Sequence, residues 1–394
     1  MTYSHEPLRI GDGGVIRGVL GNDVGAEGVL ALGRALGRAG KVAVGCFGGA
    51  GAQMLLRTMA GGITAAGGTA LYHDMECAAQ AAWLGEFCQV PVSAFIEQDG
   101  ERVYLHLFDD WGLPLKEEPH LLVGEGKAVG RCERLPGSLK DYAADGARRA
   151  KLRGLALRTV RVAVPGSAPA ERGLRLMLET LGCQVTDQGR RGIPAFMASH
   201  GGFRLSARDE SGALLSPQQL LGMVALAELE HGGGRLAVAD DASAAVELIA
   251  AGFHKKVLRL GRDGEPARRL YRSLPWLRDA AFGAARLCSR MALTGERLEQ
   301  LCGKTPRFSG WTREVPIIRD RNELMGELTA RAGRDAMTGA GLRLRCRGGW
   351  VYLVPLSRRP AIKVMGEGVD LEVAAELCDF YAAQVSKLDG RPTK

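Results

Sequence analysis

The sequence predicts an α/β protein made of three similar α/β units followed by a C-terminal α+β module. Three observations lead there. A short apolar strand, a glycine turn, a helix and a second strand occur three times at similar spacing. Beyond Pro306 the text turns polar and proline-containing, then reads as a helix, three strands and a closing helix. At 394 residues the chain exceeds one core, since a domain takes roughly 150 residues.

The first unit opens with Lys41-Val42-Ala43-Val44-Gly45, a buried-strand pattern, and a helix from Ala52 to Ala66 follows it. Gly67-Gly68 ends that helix, Thr69 to Asp74 is the next strand, and Glu76 to Phe87 supplies another helix. Pro91–Glu97 and Arg102–Phe108 flank Asp99-Gly100, which predicts a hairpin with Asp and Gly in the positive-φ positions of a type I′ turn. The second unit reads as a strand at Val160–Ser167, a helix at Ala170–Leu181 and a strand at Cys183–Val185. The third has strands at Arg235–Ala239 and Lys256–Leu260 around a helix at Ser243–Ala251. After linker text (PRFSGWTREVP) come a helix near Glu323–Arg331, strands at Gly341–Arg347, Trp350–Pro355 and Ile362–Glu367, and a helix at Leu371–Leu388. The expected domains are residues 1–145, 146–231, 232–308 and 309–394.

Composition narrows the function classes. With 46% hydrophobic and 24% charged residues this is an ordinary globular composition. The formal charge of +8 is spread along the chain, and Arg far outnumbers Lys, so no nucleic-acid partner is expected. The densest basic patch, Arg148, Arg149, Lys151, Arg153 and Arg158, reads as a solvated helix face. Nine scattered cysteines without a C-x-x-C pair read as reduced thiols rather than a disulfide or zinc framework. No signal-like or membrane-length apolar run occurs, which predicts a cytoplasmic protein with no membrane partner.

Several segments, in order, resemble the α-D-phosphohexomutases, the phosphoglucomutase and phosphomannomutase family. Val15-Ile16-Arg17-Gly18-Val19-Leu20-Gly21 is similar to that family's D-I-R-G-x-x-G opening, followed by Gly33-Arg34-Ala35-Leu36-Gly37. Gly112-Leu113-Pro114-Leu115 resembles the G-L-P-L that closes its first catalytic loop. Asp209-Glu210-Ser211-Gly212 resembles the D-E-K-G turn after its metal loop, and Trp350 to Val364 resembles its terminal phosphate loop. The resemblance covers nearly the whole chain and implies the family's three α/β repeats plus a terminal module, the third repeat shortened.

What the resemblance implies for chemistry is loss. The family transfers a phosphoryl group from a phosphoserine in T-A-S-H-N-P, holds Mg²⁺ with three carboxylates of D-G-D-x-D-R, reads the sugar with G-E-x-S-G-H and clamps the second phosphate with a C-terminal loop. Between Pro91 and Gly112 no Ser-His pair exists, and Ser93, the nearest hydroxyl, reads as a strand residue. Counting back from Asp209 puts Arg204 on the last arginine of the metal motif, and Ser199, Gly201 and Phe203 on its aspartates. None carries a carboxylate, so Mg²⁺ is expected to be lost and no cofactor is expected. Ser199-His200 imitates a catalytic pair but reads as an ordinary turn, since neighbours on extended backbone point apart. No G-E-x-S-G-H occurs between Leu258 and Asp279, and Gly45-Cys46-Phe47-Gly48 stands where the family has G-R-D-x-R.

The terminal loop keeps more charge. Aligning Pro360 with the family's proline puts Ser357, Arg358 and Arg359 on its Gly, Thr and Glu, and Lys363 on its later Arg. With Arg17 and Arg204 these are the candidate phosphate-binding residues, set against the reading of an exposed basic turn. Two competing motifs fail. Gly45–Gly51 lacks the third glycine of G-x-G-x-x-G, and Gly303-Lys304-Thr305 has Leu298 in place of the first P-loop glycine. The resulting expectation is a phosphoglucomutase/phosphomannomutase-like protein without catalysis, acting by binding or regulation on a sugar phosphate, another small anion or a partner enzyme. Two rivals stand beside it. One is an active phosphohexomutase or phosphatase with Glu97 and Asp99, or Asp240 and Asp241, as relocated carboxylates, although Asp240-Asp241 also reads as a helix cap. The other is a protein-interaction scaffold.

Overall fold

The computed structural model describes residues 8, 10–115, 129–152, 158–333, 336–339, 341–356 and 359–390. The first unit is a six-stranded sheet, spatial order β1-β5-β4-β2-β3-β6. Its strands are β1 (Val15–Val19), β2 (Lys41–Phe47), β3 (Thr69–His73), β4 (Val92–Asp99), β5 (Arg102–Asp109) and β6 (Arg131–Leu135). Helices α1 (Ala26–Gly37), α2 (Ala50–Ala65) and α3 (Ala78–Phe87) connect them. β2 runs parallel to β3 and β4, whereas β5 is antiparallel to β4 and β1. α1 and α2 cross at backbone contact: a methyl group on Gly33 would sit 2.3 Å from the Met59 carbonyl oxygen. Only glycine allows that approach.

The β4–β5 hairpin forms as the sequence predicts, with a different turn. Asp99 still pairs with Arg102, so the central residues are Gly100 and Glu101. Gly100 alone takes a positive φ, of 59°. Glycine in the first central position is the type II′ arrangement, which spares a residue with a Cβ from that region.

The second unit holds α4 (Ser138–Ala150), β7 (Arg161–Ala163), α5 (Pro169–Leu181), β8 (Gln184–Thr186), β9 (Ala195–Ala198), β10 (Leu205–Arg208), β11 (Leu214–Leu215) and α6 (Pro217–Glu230). Its sheet runs β11-β10-β9-β7-β8. The basic patch at its start is not wholly a solvated face. The Arg149 side chain is 19% exposed, 3.4 Å from Glu86, and lies over the Phe282 ring. Arg153 lies outside the described residues.

The third unit pairs only two parallel strands, β12 (Leu236–Val238) and β13 (Val257–Arg259), with α7 (Ala245–Gly252), α8 (Gly264–Ser273), α9 (Ala280–Thr294) and α10 (Leu298–Gly303). α9 is the buried axle of the molecule: its residues from Ala280 to Ala292 are all buried. Two arginines inside it are neutralised, Arg286 by Glu228 and Arg290 by Glu230 and Glu296 at 2.6 and 2.5 Å. One apolar cluster, from Ala43 to Cys302, joins these three units through Trp83, Phe95, Tyr142, Phe196 and Phe282. Asp240 does not cap a helix as expected. It accepts the Gly261 N–H at 2.9 Å, while α7 begins after Ala244.

The C-terminal module has its own core, including Val351, Leu353, Ile362, Val364 and Cys378. It consists of β14 (Ser309–Pro316), α11 (Arg321–Ala332), β15 (Met337–Thr338), β16 (Gly341–Cys346), β17 (Gly349–Pro355), β18 (Ala361–Gly368) and α12 (Leu371–Leu388), with sheet order β14-β18-β17-β16-β15. Most of the expected linker text is β14, paired with β18 from Ser309↔Gly368 to Pro316↔Ala361. As an edge strand it is exposed along most of its length, which explains its polar, linker-like composition. The module docks on the third unit where Glu367 receives the Ser243 hydroxyl and the Ala244 N–H. No helix among the described residues is long and apolar enough to cross a membrane.

Candidate functional site

Strand ends of the three α/β units converge on a central cleft of about 620 Å³, within the usual range for a small-ligand site. All of its lining residues fall between Gly13 and Gly283. β1 and the β5 end contribute Arg17, His106 and Phe108; the second unit contributes Phe203, Arg204 and Gln218; the third contributes Asp241, Trp276, Arg278 and Asp279.

The turn between β9 and β10 is the structural centre of this cleft. The Ser199 N–H donates to the Arg204 carbonyl at 2.8 Å, and the Arg204 N–H donates to Ser199 Oγ at 3.0 Å, so the turn closes on itself. Gly202 takes φ 82°, and its N–H reaches the Ser199 carbonyl at 2.8 Å. The carbonyls then serve two helix starts. That of Gly201 accepts the Ala79 N–H of α3 and that of Gly202 the Ala280 N–H of α9, each at 2.9 Å. Orphan donors at helix N-termini are thereby satisfied by this turn.

His200 leaves the turn for the neighbouring unit, with Nε2 2.7 Å from Glu97 Oε1. Glu97 is 3% exposed at the end of β4. Nε2 of His106 lies 3.5 Å from its other oxygen, an electrostatic contact longer than a hydrogen bond. Ser199 and His200 therefore face different partners and form no nucleophile–base pair. Phe203 packs toward Phe108, ring centroids 5.9 Å apart.

The opposite wall is built by the start of α9. Asp279 accepts from Tyr142 Oη at 2.9 and 2.8 Å and from the N–H groups of Ala281 and Phe282 at 2.9 and 3.1 Å. Burial still dominates and pushes its carboxyl up to about 6. Arg278 donates to the Gly112 carbonyl at 2.6 Å and to Glu86 at 3.3 Å, and burial lowers its pKa from the ordinary guanidinium value. The Gly112-Leu113-Pro114-Leu115 segment thus ties β5 to α9. Gly112 takes φ 66° and lies so close to α3 that an added methyl would be 2.1 Å from the Ala82 carbonyl oxygen.

Of the residues singled out in the sequence, Arg17 and Arg204 both border the cleft. Arg204 is 72% exposed, its guanidinium 3.9 Å from Asp241. Arg359 and Lys363 lie in the C-terminal module and do not border it. Arg359 pairs with Glu314 of β14, and Lys363 is half-buried in β18 opposite that same residue. Ser357 and Arg358 lie outside the described residues. The sequence reading passed over His106, Gln218, Trp276 and Arg278; the one available signal was Asp279 before an apolar helix, the pattern of an N-cap.

No protein-family model matches the sequence, and no curated protein matches it. Solved structures do, over almost their whole length. A phosphoglucomutase/phosphomannomutase family protein from Burkholderia thailandensis is 16% identical with a TM-score of 0.75, covering 97% of this chain and 98% of its own. A putative phosphomannomutase from Thermus thermophilus is 17% identical with a TM-score of 0.66, covering 97% and 99%. An N-acetylphosphoglucosamine mutase from Aspergillus fumigatus, solved with GlcNAc-6P and magnesium, is 9% identical with a TM-score of 0.54, covering 98% and 96%.

The fold is that of the α-D-phosphohexomutases. The sequence resemblance sets the turn from Ser199 to Arg204 against that family's metal loop. Its donors do not fit a magnesium ion, which requires several free oxygen ligands in octahedral geometry. Here one hydroxyl already accepts an N–H, two carbonyls cap helices, and Phe203 contributes a ring. Among the described residues no group of three or more His, Cys, Asp or Glu side chains could hold a metal ion.

Proposed function

We propose that this phosphohexomutase-fold chain performs no mutase turnover and acts by binding a small anion, such as a sugar phosphate, in its central cleft. One observation carries the reading: the Ser199–Arg204 turn commits the Ser199 hydroxyl and the Gly201 and Gly202 carbonyls to joining three units, and it carries no carboxylate for a metal. Phosphoryl transfer depends almost wholly on positioning and charge stabilisation, so losing these groups removes most of the rate enhancement. Charge for an anion remains, because Arg17 and Arg204 border the cleft.

The rival with relocated carboxylates is narrowed by geometry. Glu97 is buried against His200, Asp240 holds the Gly261 N–H, and Asp99 sits at a hairpin tip away from the cleft. Asp241 alone of the four borders the cavity. The test is to assay hexose 1-phosphate isomerisation with Mg²⁺ and a hexose bisphosphate activator, alongside calorimetric titration with glucose 1-phosphate and inorganic phosphate. Expected are no turnover and anion binding that weakens in Arg204→Ala. Turnover abolished by Asp241→Asn would replace this reading with the relocated-group enzyme, and absence of any binding would favour a scaffold.

A further inference from the structure

Resting on the reading that the cleft binds an anion, we infer that its ligand is a phosphate monoester with an apolar body, an aryl or alkyl phosphate, rather than a bare hexose phosphate.

The lining of the cleft divides by chemistry. Arg17 and Arg204 are exposed side chains on its border, suited to a dianionic phosphate in contact with water. The remaining wall is mostly apolar, with Phe108, Phe203, Leu221, Val224, Trp276 and Leu277 among its residues. Most of these are buried or half-buried, and they come from all three α/β units.

Several polar groups within that wall are committed to the protein. Arg278 donates to Gly112 and Glu86, and Asp279 receives Tyr142 and two backbone N–H groups. Gln218 Oε1 accepts the Ser243 N–H at 2.9 Å, and His106 faces Glu97. The Trp276 indole N–H is buried without an acceptor, and Arg286 stacks on its ring at 4.5 Å. A hexose brings several hydroxyls, each of which loses water on entry and needs a replacement partner. This wall offers few, whereas an aryl or alkyl group entering it gains from leaving water without leaving a hydroxyl unpaired.

Calorimetric titration of the full chain with phenyl phosphate, hexyl phosphate, glucose 1-phosphate and inorganic phosphate tests the inference. Expected is binding of phenyl or hexyl phosphate at least about tenfold tighter than either of the other two, with a negative heat-capacity change. Leu221→Gln removes that preference, weakening phenyl and hexyl phosphate more than inorganic phosphate; Leu221→Ala serves if the glutamine variant does not fold. Arg204→Ala weakens all four probes. Glucose 1-phosphate binding as tightly as phenyl phosphate overturns the inference while anion binding stands. Failure of every probe to bind at millimolar concentration overturns both. Tight hexyl phosphate binding indifferent to Leu221 and Arg204 substitutions places the site elsewhere and also overturns the inference.

Discussion

The imidazole of His200 crosses from the second α/β unit to the first and sets Nε2 2.7 Å from Oε1 of Glu97, a carboxylate that is 3% exposed. Two residues distant in sequence thus meet where the fold brings the end of β4 against the β9–β10 turn. Such a contact holds the two units in one register at the cleft, and its energetics follow from unequal burial. The half-exposed imidazole costs little to desolvate, whereas the carboxylate without it would be a buried charge with His106 Nε2 3.5 Å away.

His200→Ala is therefore expected to cost about 1–2 kcal/mol, toward the lower end because water reaches the imidazole side. Glu97→Gln removes the charge itself and costs less than about 1 kcal/mol. In the Glu97→Gln background the His200→Ala penalty disappears. Urea unfolding of the four proteins in a double-mutant cycle checks this; additive losses would mean that the pair is not coupled.

Asp279 gives the molecule a pH dependence of defined sign. Its folded pKa is raised to about 6 from 3.8, chiefly by burial. The folded state therefore binds this proton more tightly than the unfolded state does, and the associated stability is fully present below pH 3.8 and is lost as pH rises through about 6. The loss amounts to about 3 kcal/mol by linkage. Asn at this position keeps an acceptor for the Ala281 and Phe282 N–H groups and has no charge to desolvate. Relative to wild type, Asp279→Asn is expected to gain stability between pH 4 and pH 7, measured by urea unfolding across that range. A wild-type and variant difference that stays flat contradicts it.

Two glycines with positive φ separate conformational strain from steric collision. At Gly100 an added Cβ meets nothing within 4 Å, so Gly100→Ala is expected to cost only the backbone strain, about 1–2 kcal/mol. At Gly112 the same methyl would be 2.1 Å from the Ala82 carbonyl oxygen, in the segment that receives Arg278. Gly112→Ala is expected to cost more than about 3 kcal/mol and to disturb the cleft, visible as weakened phosphate binding in the folded fraction. Equal midpoints for the two variants would show that packing there is loose.

Strands and helices with a clean period were legible from the sequence, and α12, Leu371–Leu388, has the bounds that its pattern predicts. The parts that escaped did so for two opposite physical reasons. α6 and α9 are buried on nearly every side, so their apolar residues have no contrasting polar face to mark a helical period. β14 is the reverse, an exposed edge whose polar composition imitates a linker. The site divides in the same way. Arg17 and Arg204 could be found because local text around them resembles a known family, whereas the Glu97–His200 contact and the Arg278–Gly112 hydrogen bond depend on long-range juxtaposition that no local motif encodes. That Ser199, Gly201 and Phe203 carry no carboxylate is plain from residue types alone, but the capping of α3 and α9 by the carbonyls of this turn required the fold.

That capping role argues against the turn accepting a set of metal carboxylates. Ser199→Asp, Gly201→Asp and Phe203→Asp together place three carboxylates at the positions that the resemblance assigns to metal ligands. The turn is already closed on itself: the Arg204 N–H is held by Ser199 Oγ and Gly202 sits at φ 82° with its N–H on the Ser199 carbonyl, so a longer, charged side chain at position 199 must enter a tightly bonded loop. Removing Phe203 also removes its contact with Phe108, worth about 2 kcal/mol for a half-buried ring. Three carboxylates on one tight turn repel one another unless a cation compensates them. The triple variant is therefore expected to be less stable than wild type by more than about 3 kcal/mol, and Mg²⁺ at roughly 10 mM is expected to raise its melting temperature by less than about 2 °C, as weak binding adds little through linkage. A large magnesium-dependent stabilisation in thermal unfolding would show that the turn can fold as a metal cradle once carboxylates are present.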